Sequence, residues 1–164
     1  MRGSDARLTD ALAAASPSLL VYLQRRVGVD DAPDLLGETM VVAWRRVGDL
    51  PTDPERARMW LFGIARGTVL NHVRGVRRRW ALADRIRGHV GTGAASPAAD
   101  EGAEVRDAIA RLEADLAELV RLVHWERLTL AEAAEVLGIP ASTARGRYAT
   151  AKAELRAALG VAVP

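Results

Sequence analysis

Between residues 88 and 102 the chain reads Gly-His-Val-Gly-Thr-Gly-Ala-Ala-Ser-Pro-Ala-Ala-Asp-Glu-Gly, and no other stretch restricts the possible folds as much. Its side chains are small, and its glycines and proline interrupt regular structure. It carries too little apolar surface to offset the entropy of fixing it. One core cannot run across such a segment, so the 164 residues have to fold as two small blocks, about residues 5–79 and 103–159. The expected limits are 1–80 for the first domain, 81–104 for the linker and 105–164 for the second domain.

Both blocks read as helical. Ala, Leu, Val and Arg dominate and strand signals are weak throughout. The hydrophobic content of 49% is enough to build cores, which argues against wholesale disorder. The expected fold class is all-α, two small helical domains. In the first block Leu8, Leu12 and Ala15 suit a short amphipathic helix, and Pro17 can open a second holding Leu19, Leu20, Leu23 and Val27. Asp30 or Asp31 can cap a third, with Leu35, Leu36, Met40, Ala43 and Val47. Residues 48–54 are dense in turn formers. There Asp53, Pro54 and Glu55 read as a cap, a first-turn proline and a dipole-matched acid. The helix that follows should run to about Arg79. Trp60, Leu61, Ile64 and Ala65 are its expected core residues.

In the second block Val105, Ile109 and Leu112 form one apolar stripe, and Leu116, Leu119, Val120 and Val123 the next. Thr129-Leu-Ala-Glu132 is a capping-box pattern, Gly138 ends that helix, and Pro140 leads into another. A short capped helix, a glycine turn and a second helix make a helix-turn-helix layout. On the second helix Ala144, Tyr148, Ala151 and Leu155 share one face at steps of four, three and four. Ser142, Gly146 and Ala149 fall opposite, beside Thr143, Arg145 and Thr150, with Arg147 and Lys152 on the flanks. A recognition helix presents its polar side to the major groove in this way. An ordinary antiparallel helix pair would use the same buried stripes. The centre of the exposed face is small, so Arg145 and Arg147 are the expected long reachers.

The formal charge is only +2, but the charges are segregated. Residues 66–79 carry Arg66, Arg74, Arg77, Arg78 and Arg79 with His72 and no acid, more than a helix end needs to match its dipole. Such a run can neutralise phosphates and release their counterions. Asp30, Asp31, Asp34 and Glu38 form an acidic counterpart, with Asp34 and Glu38 four apart and so on one face. With no partner base beside them, they read first as dipole matching at a helix N-terminus.

Cysteine is absent, which excludes disulfides and thiolate-bound zinc. His72, His89 and His124 are scattered and suggest no metal cluster. No nucleophile–base pair and no phosphate-cradling glycine loop is present, so neither enzymatic activity nor a cofactor is expected. The polar N-terminus and the lack of a bilayer-length apolar stretch make the cytoplasm the expected location.

Two segments together carry a family resemblance. Asp34-Leu-Leu-Gly-Glu-Thr-Met-Val-Val-Ala-Trp44-Arg45, then Trp60-Leu-Phe-Gly-Ile-Ala-Arg66 and the arginine run, is similar to region 2 of extracytoplasmic-function sigma factors. His124-Trp-Glu, Leu130-Ala-Glu-Ala-Ala-Glu-Val-Leu-Gly-Ile-Pro140 and Thr143-Ala-Arg-Gly-Arg147 resemble their region 4. The family order and intervening linker are kept over most of the chain. The resemblance implies a subunit that binds core RNA polymerase and directs promoter-specific initiation. Asp34, Glu38 and Arg45 would dock on the β′ clamp helices, and region 4 would meet the β flap. The loop over residues 48–58, with Asp53, Arg56 and Arg58, would help hold a flipped base of the −10 element. Arg66, Asn71, Arg74, Arg77 and Arg78 would engage and help melt that element. Ser142, Thr143, Arg145, Arg147 and Lys152 would read the −35 element, and an anti-sigma factor is an expected partner.

Several positions depart from the family pattern. Gly37 stands where Gln is usual, Gly63 where Arg is common, and Gly67 where an Asn lines the flipped-base pocket. Glu113 replaces a usual Pro, and Gly146, Ala149 and Thr150 replace bulkier or basic recognition-helix residues. These departures imply weaker or altered promoter reading. Two other readings stay open: a freestanding helix-turn-helix regulator, and a sigma-like protein that works mainly through protein contacts.

Overall fold

The computed structural model describes residues 2–87 and 102–161, all of whose regular structure is helical. The chain divides into two compact units, Met1–Ala94 and Ala95–Pro164. Residues 88–101, most of the expected linker, lie outside the described residues.

The first unit packs three helices: α1 (Arg2–Val27), α2 (Ala32–Arg45) and α3 (Pro54–Arg87). Leu8, Leu12, Ala15, Leu19, Tyr22 and Leu23 of α1 are buried, as their three- and four-residue spacing requires. They meet Ala32, Leu35 and Ala43 of α2 and Leu61, Phe62, Ala65 and Val69 of α3 among the buried residues of this unit. Tyr22 and Phe62 meet edge to face, their ring centroids 5.5 Å apart.

Three boundaries differ from expectation. Pro17 opens no new helix: α1 runs straight through it. The proline removes one backbone donor, but it sits on the exposed face, where water can serve the carbonyl left behind. The apolar stripe on the far side, continuous from Leu12 to Leu19, holds the two halves together. Val47 belongs to a short 3-10 turn, Val47–Asp49, after α2 has ended. The third difference is at the end of α3, which extends beyond Arg79 to Arg87, so residues 81–87 are helix and not linker. Ala, Leu, Arg and Ile there are good helix formers with no glycine or proline to stop them.

The second unit holds α4 (Ala103–Arg111), α5 (Ala114–His124), α6 (Leu130–Leu137) and α7 (Ala141–Leu159). Ile109, Leu112, Leu116, Ala117, Val120 and Ala151 form its core cluster, flanked by Trp125 and Leu155. Val105, expected in the first stripe, is 45% exposed: it lies one turn before Ile109, near the start of α4.

Candidate nucleic-acid and partner interfaces

On α2 the buried positions Ala32, Leu35, Thr39 and Ala43 use one side and leave the other open. Asp34, Glu38, Val41 and Arg45 recur on that open side at steps of four, three and four. All four are exposed, and Val41 and Trp44, 48% and 43% exposed, add apolar surface to the charged set. The structure thus brings Asp34, Glu38 and Arg45 onto one face. It also supplies Val41 and Trp44, which sequence reading did not assign to any interface, although their spacing from Asp34 and Arg45 was the available signal. Asp31 does not cap α2 through its side chain. Its carboxylate instead lies 3.4 Å from Nε2 of His72 on α3.

α2 and α3 are also joined in the core by a polar contact. Thr39 Oγ1 lies 3.1 Å from Thr68 Oγ1. Thr39 Oγ1 is 2.7 Å from the Leu35 carbonyl, and Thr68 Oγ1 is 2.8 Å from that of Ala65. Two hydroxyl protons serve three contacts, so when one hydroxyl donates to the other it gives up its own carbonyl, and when both hold their carbonyls the contact between them carries no proton. Both residues are buried, and no motif announced them.

The loop between α2 and α3 is built from both ends. Asp53 caps α3: its Oδ2 accepts from the Arg56 amide at 2.8 Å. Arg58 lays its guanidinium 5.3 Å from the Phe62 ring centroid, which ties the loop-proximal turn to the core. From α1, Arg7 Nη2 donates to the carbonyls of Leu50 at 3.3 Å and Pro51 at 3.0 Å. A cleft of about 440 Å³ opens beside this contact, walled by Ala11 and Ala14 of α1, by Leu50 and Pro51, and by Pro54 and Ala57. The expected loop over residues 48–58 is therefore shorter, ending at Asp53: the proline at the first helical position starts α3 there, so Arg56 and Arg58 sit on its first turns beside Asp53, whose carboxylate holds the Arg56 backbone amide. Arg7, 43 residues away from Leu50 in sequence, had no local signal to reveal it.

Beyond the loop, Arg74 holds to its own helix: Nη2 donates to Asn71 Oδ1 at 2.6 Å and Nε to the Leu70 carbonyl at 3.3 Å. Asn71, Arg74, Arg77 and Arg78 are all exposed, whereas Arg66 is half-buried. Leu61, Ile64 and Ala65 are buried as expected; Trp60 is half-buried, with the Arg46 guanidinium 5.9 Å from its ring.

In the second unit Thr129 and Glu132 form both bonds of the capping box, at 2.6 and 3.2 Å. Gly138 takes the left-handed conformation, φ +65°, that lets the chain turn tightly into α7. Ala144 and Ala151 are fully buried and Tyr148 and Leu155 half-buried, so the helix packs on the predicted face. Ser142, Thr143 and Arg145 are exposed together on the other side, and Lys152 is exposed with its ammonium 4.9 Å from the Tyr148 ring.

Arg147 is the member that stands apart. It is half-buried and donates to Asp115 Oδ2 of α5 at 3.0 Å. His124 Nε2 lies 2.8 Å from the Tyr148 hydroxyl, a second strut between α5 and α7. Asp115 and His124 thus fix the angle at which α7 offers its polar face. Glu113, at the N-cap of α5, makes no side-chain capping bond.

No helix among the described residues is long and apolar enough to cross a membrane. The geometry is that of two binding modules: a charged and apolar face on α2 backed by a basic helix, and a helix-turn-helix.

Comparison with known proteins agrees. Residues 13–79 match the family model for sigma-70 region 2, and residues 102–155 match that for sigma-70 region 4. The chain is similar to the ECF RNA polymerase sigma factor SigC of Mycobacterium tuberculosis, 37% identical over 133 residues that cover 79% of this chain and 70% of the relative. It is also similar to the RNA polymerase sigma factor NccH of Alcaligenes xylosoxydans xylosoxydans, 30% identical over 154 residues, 85% of this chain and 80% of the relative. Among solved structures, the sigma factor RpoE in complex with the anti-sigma factor NepR from Bartonella quintana superposes with a TM-score of 0.65 at 22% identity, covering 94% of this chain and 98% of that one. CnrH in complex with the cytosolic domain of CnrY gives a TM-score of 0.61 at 25% identity, covering 97% and 91%.

Proposed function

Because this chain belongs to the extracytoplasmic-function sigma factors of the sigma-70 family, we propose that its exposed faces divide promoter-specific initiation among themselves as follows. The α2 face of Asp34, Glu38 and Arg45, completed by Val41 and Trp44, docks on the β′ clamp helices of core RNA polymerase. Charged groups ringing a small apolar centre suit such a contact: the apolar pair supplies burial and the charges fix register. The loop before α3 and α3 itself take the −10 element. There Arg56, Arg58, Arg66, Asn71, Arg74, Arg77 and Arg78 meet phosphates and bases, while Asp53, through the Arg56 backbone amide, holds the start of α3 in shape. Extruding a base costs a few kcal/mol of unstacking, which a preformed cleft beside the loop offsets. Ser142, Thr143, Arg145 and Lys152 read the −35 element, and Arg147 acts through Asp115 on the pose of α7. The second unit also meets the β flap.

The protein works by binding and carries no catalysis or cofactor of its own. Its site of action is the cytoplasm, where polymerase is. An anti-sigma partner that covers the polymerase-facing surface fits the complexes in which RpoE and CnrH have been solved.

The observation that carries this reading is the open face of α2. A freestanding helix-turn-helix regulator has no use for four exposed residues at helical spacing on a helix outside its DNA-reading unit. Runoff transcription with purified core polymerase on a pool of genomic promoter fragments tests it. Transcripts that depend on this protein are expected, and they should be lost in Asp34→Lys/Glu38→Lys. Core binding without transcripts would favour a sigma-like protein acting through protein contacts. Neither would leave the freestanding regulator.

A further inference from the structure

The basic surface of α3 does not stop where the region 2 match ends at residue 79. The helix continues to Arg87, and on it Asn71, Arg74, Arg78 and Arg85 are spaced three, four and seven apart, which places them on one face. All four are exposed, and so is Ala81, whose small side chain lies in the gap between Arg78 and Arg85. Among the described residues neither Arg78 nor Arg85 has a carboxylate partner. Asp84, the sole acid between residues 66 and 87, lies about 100° round the helix from Arg85 and so off the stripe.

We propose that this stripe, extended by Arg85, is a phosphate-binding surface for double-stranded DNA adjoining the −10 element. The proposal rests on the promoter-binding reading above and assigns to the same helix a second, duplex contact. From Arg74 to Arg85 the rise is about 16 Å, close to five base-pair steps of about 3.4 Å. The arginines are therefore spaced along a backbone track and do not converge on a point.

A duplex is favoured over a single strand by what the stripe lacks. Single strands are held by aromatic platforms on which bases stack, alongside the charge. The exposed aromatic of this segment, Trp80, is 57% exposed but projects about 200° round the helix from Arg78. It continues the line of Val69, Val73 and Val76, the core-facing side, past the end of the bundle. The arginine face offers charge, length and a flat alanine, which suit the outside of a double helix.

The test compares core polymerase carrying the wild-type protein with core carrying Arg85→Ala or Arg78→Ala/Arg85→Ala. Each is bound to two fragments of one promoter, one with duplex continuing upstream of the −10 element and one trimmed at its edge. Affinity is read across a salt series. The slope of log K against log salt should fall by about 0.9 for Arg85→Ala on the longer fragment alone, whereas Arg78, which also serves the −10 element, should add its own fall of about 0.9 in the double variant on both fragments. Arg85→Lys should keep the slope, since a point charge also binds phosphate. Alanine is the best helix former, so equal helicity of the variants by circular dichroism checks that α3 persists.

An unchanged slope for Arg85→Ala on the longer fragment overturns the proposal. So does an equal fall on both fragments, which would place Arg85 on the −10 element itself, or a larger fall on a single-stranded oligonucleotide. If the wild-type protein forms no core-dependent promoter complex at all, the promoter-binding reading fails first, and that result is distinguishable from the other three.

Discussion

Arg127 adopts φ +55°, the left-handed region, in the turn between α5 and α6. A side chain there costs about 1 kcal/mol that glycine does not, and Arg127 is exposed with no packing to lose. Arg127→Gly should therefore raise stability by about 0.5–1 kcal/mol, read as a shift of the urea midpoint at constant slope. Arg7 is the opposite case, a surface arginine with a structural task. Without its two bonds to the Leu50 and Pro51 carbonyls the loop before α3 loses its tie to α1. Arg7→Ala should weaken loop order by about 1 kcal/mol. The expected result is roughly a fivefold fall in open-complex formation with −35 binding unchanged, and equal loss of both would show a general folding defect instead. Sequence spacing had no means of revealing either residue. A positive φ leaves no trace in an arginine, and a contact across 43 positions leaves none in local pattern. The members of helical stripes, from Leu8 to Leu23 or Asp34 to Glu38, were legible because period alone fixes which of them share a face, whereas Tyr22, buried in the same core, was not singled out.

At the scale of elements the capping signals read best. Thr129 with Glu132, Gly138, and Asp53 before Pro54 each stand where local chemistry put them. Thr129→Ala should lower the thermal midpoint of the full chain by an amount equivalent to about 1 kcal/mol. Pro17 and the end of α3 were misread for a common reason: propensity marks where a helix finds stopping easy, and packing or its absence decides. The glycine departures of region 2 have a physical cost of their own. Gly37 lies inside α2 with open space where a Cβ would stand. Gly37→Ala should thus stabilise by about 0.5–1 kcal/mol without disturbing a neighbour. On α7 the exposed centre is Gly146, Ala149 and Thr150, with the Thr150 hydroxyl turned back to the Gly146 carbonyl at 3.2 Å. It offers DNA little reach. Thr150→Arg should tighten binding to a −35 fragment several-fold, about 1 kcal/mol, and equal affinity in a gel shift would refute that account of the weak face.

At the scale of the whole molecule, the division into two helical units followed from a stretch that could not be buried, and it was legible for that reason. The family was legible only in combination, since an acidic helix start, an arginine run and a helix-turn-helix are each common alone. The division also has a consequence for how the protein is made. The first unit closes its core with α1, α2 and α3 alone, and the 70 residues of the second unit are still to be added when the last residue of the first is joined. At about 5–20 residues per second those take several seconds, while a small helical bundle folds in microseconds to milliseconds. A ribosome still translating therefore displays a finished α2 face and arginine helix before any −35 reader exists. On the reading proposed above, selectivity for complete promoters is acquired last, and the half-made chain is a polymerase ligand with only half its address.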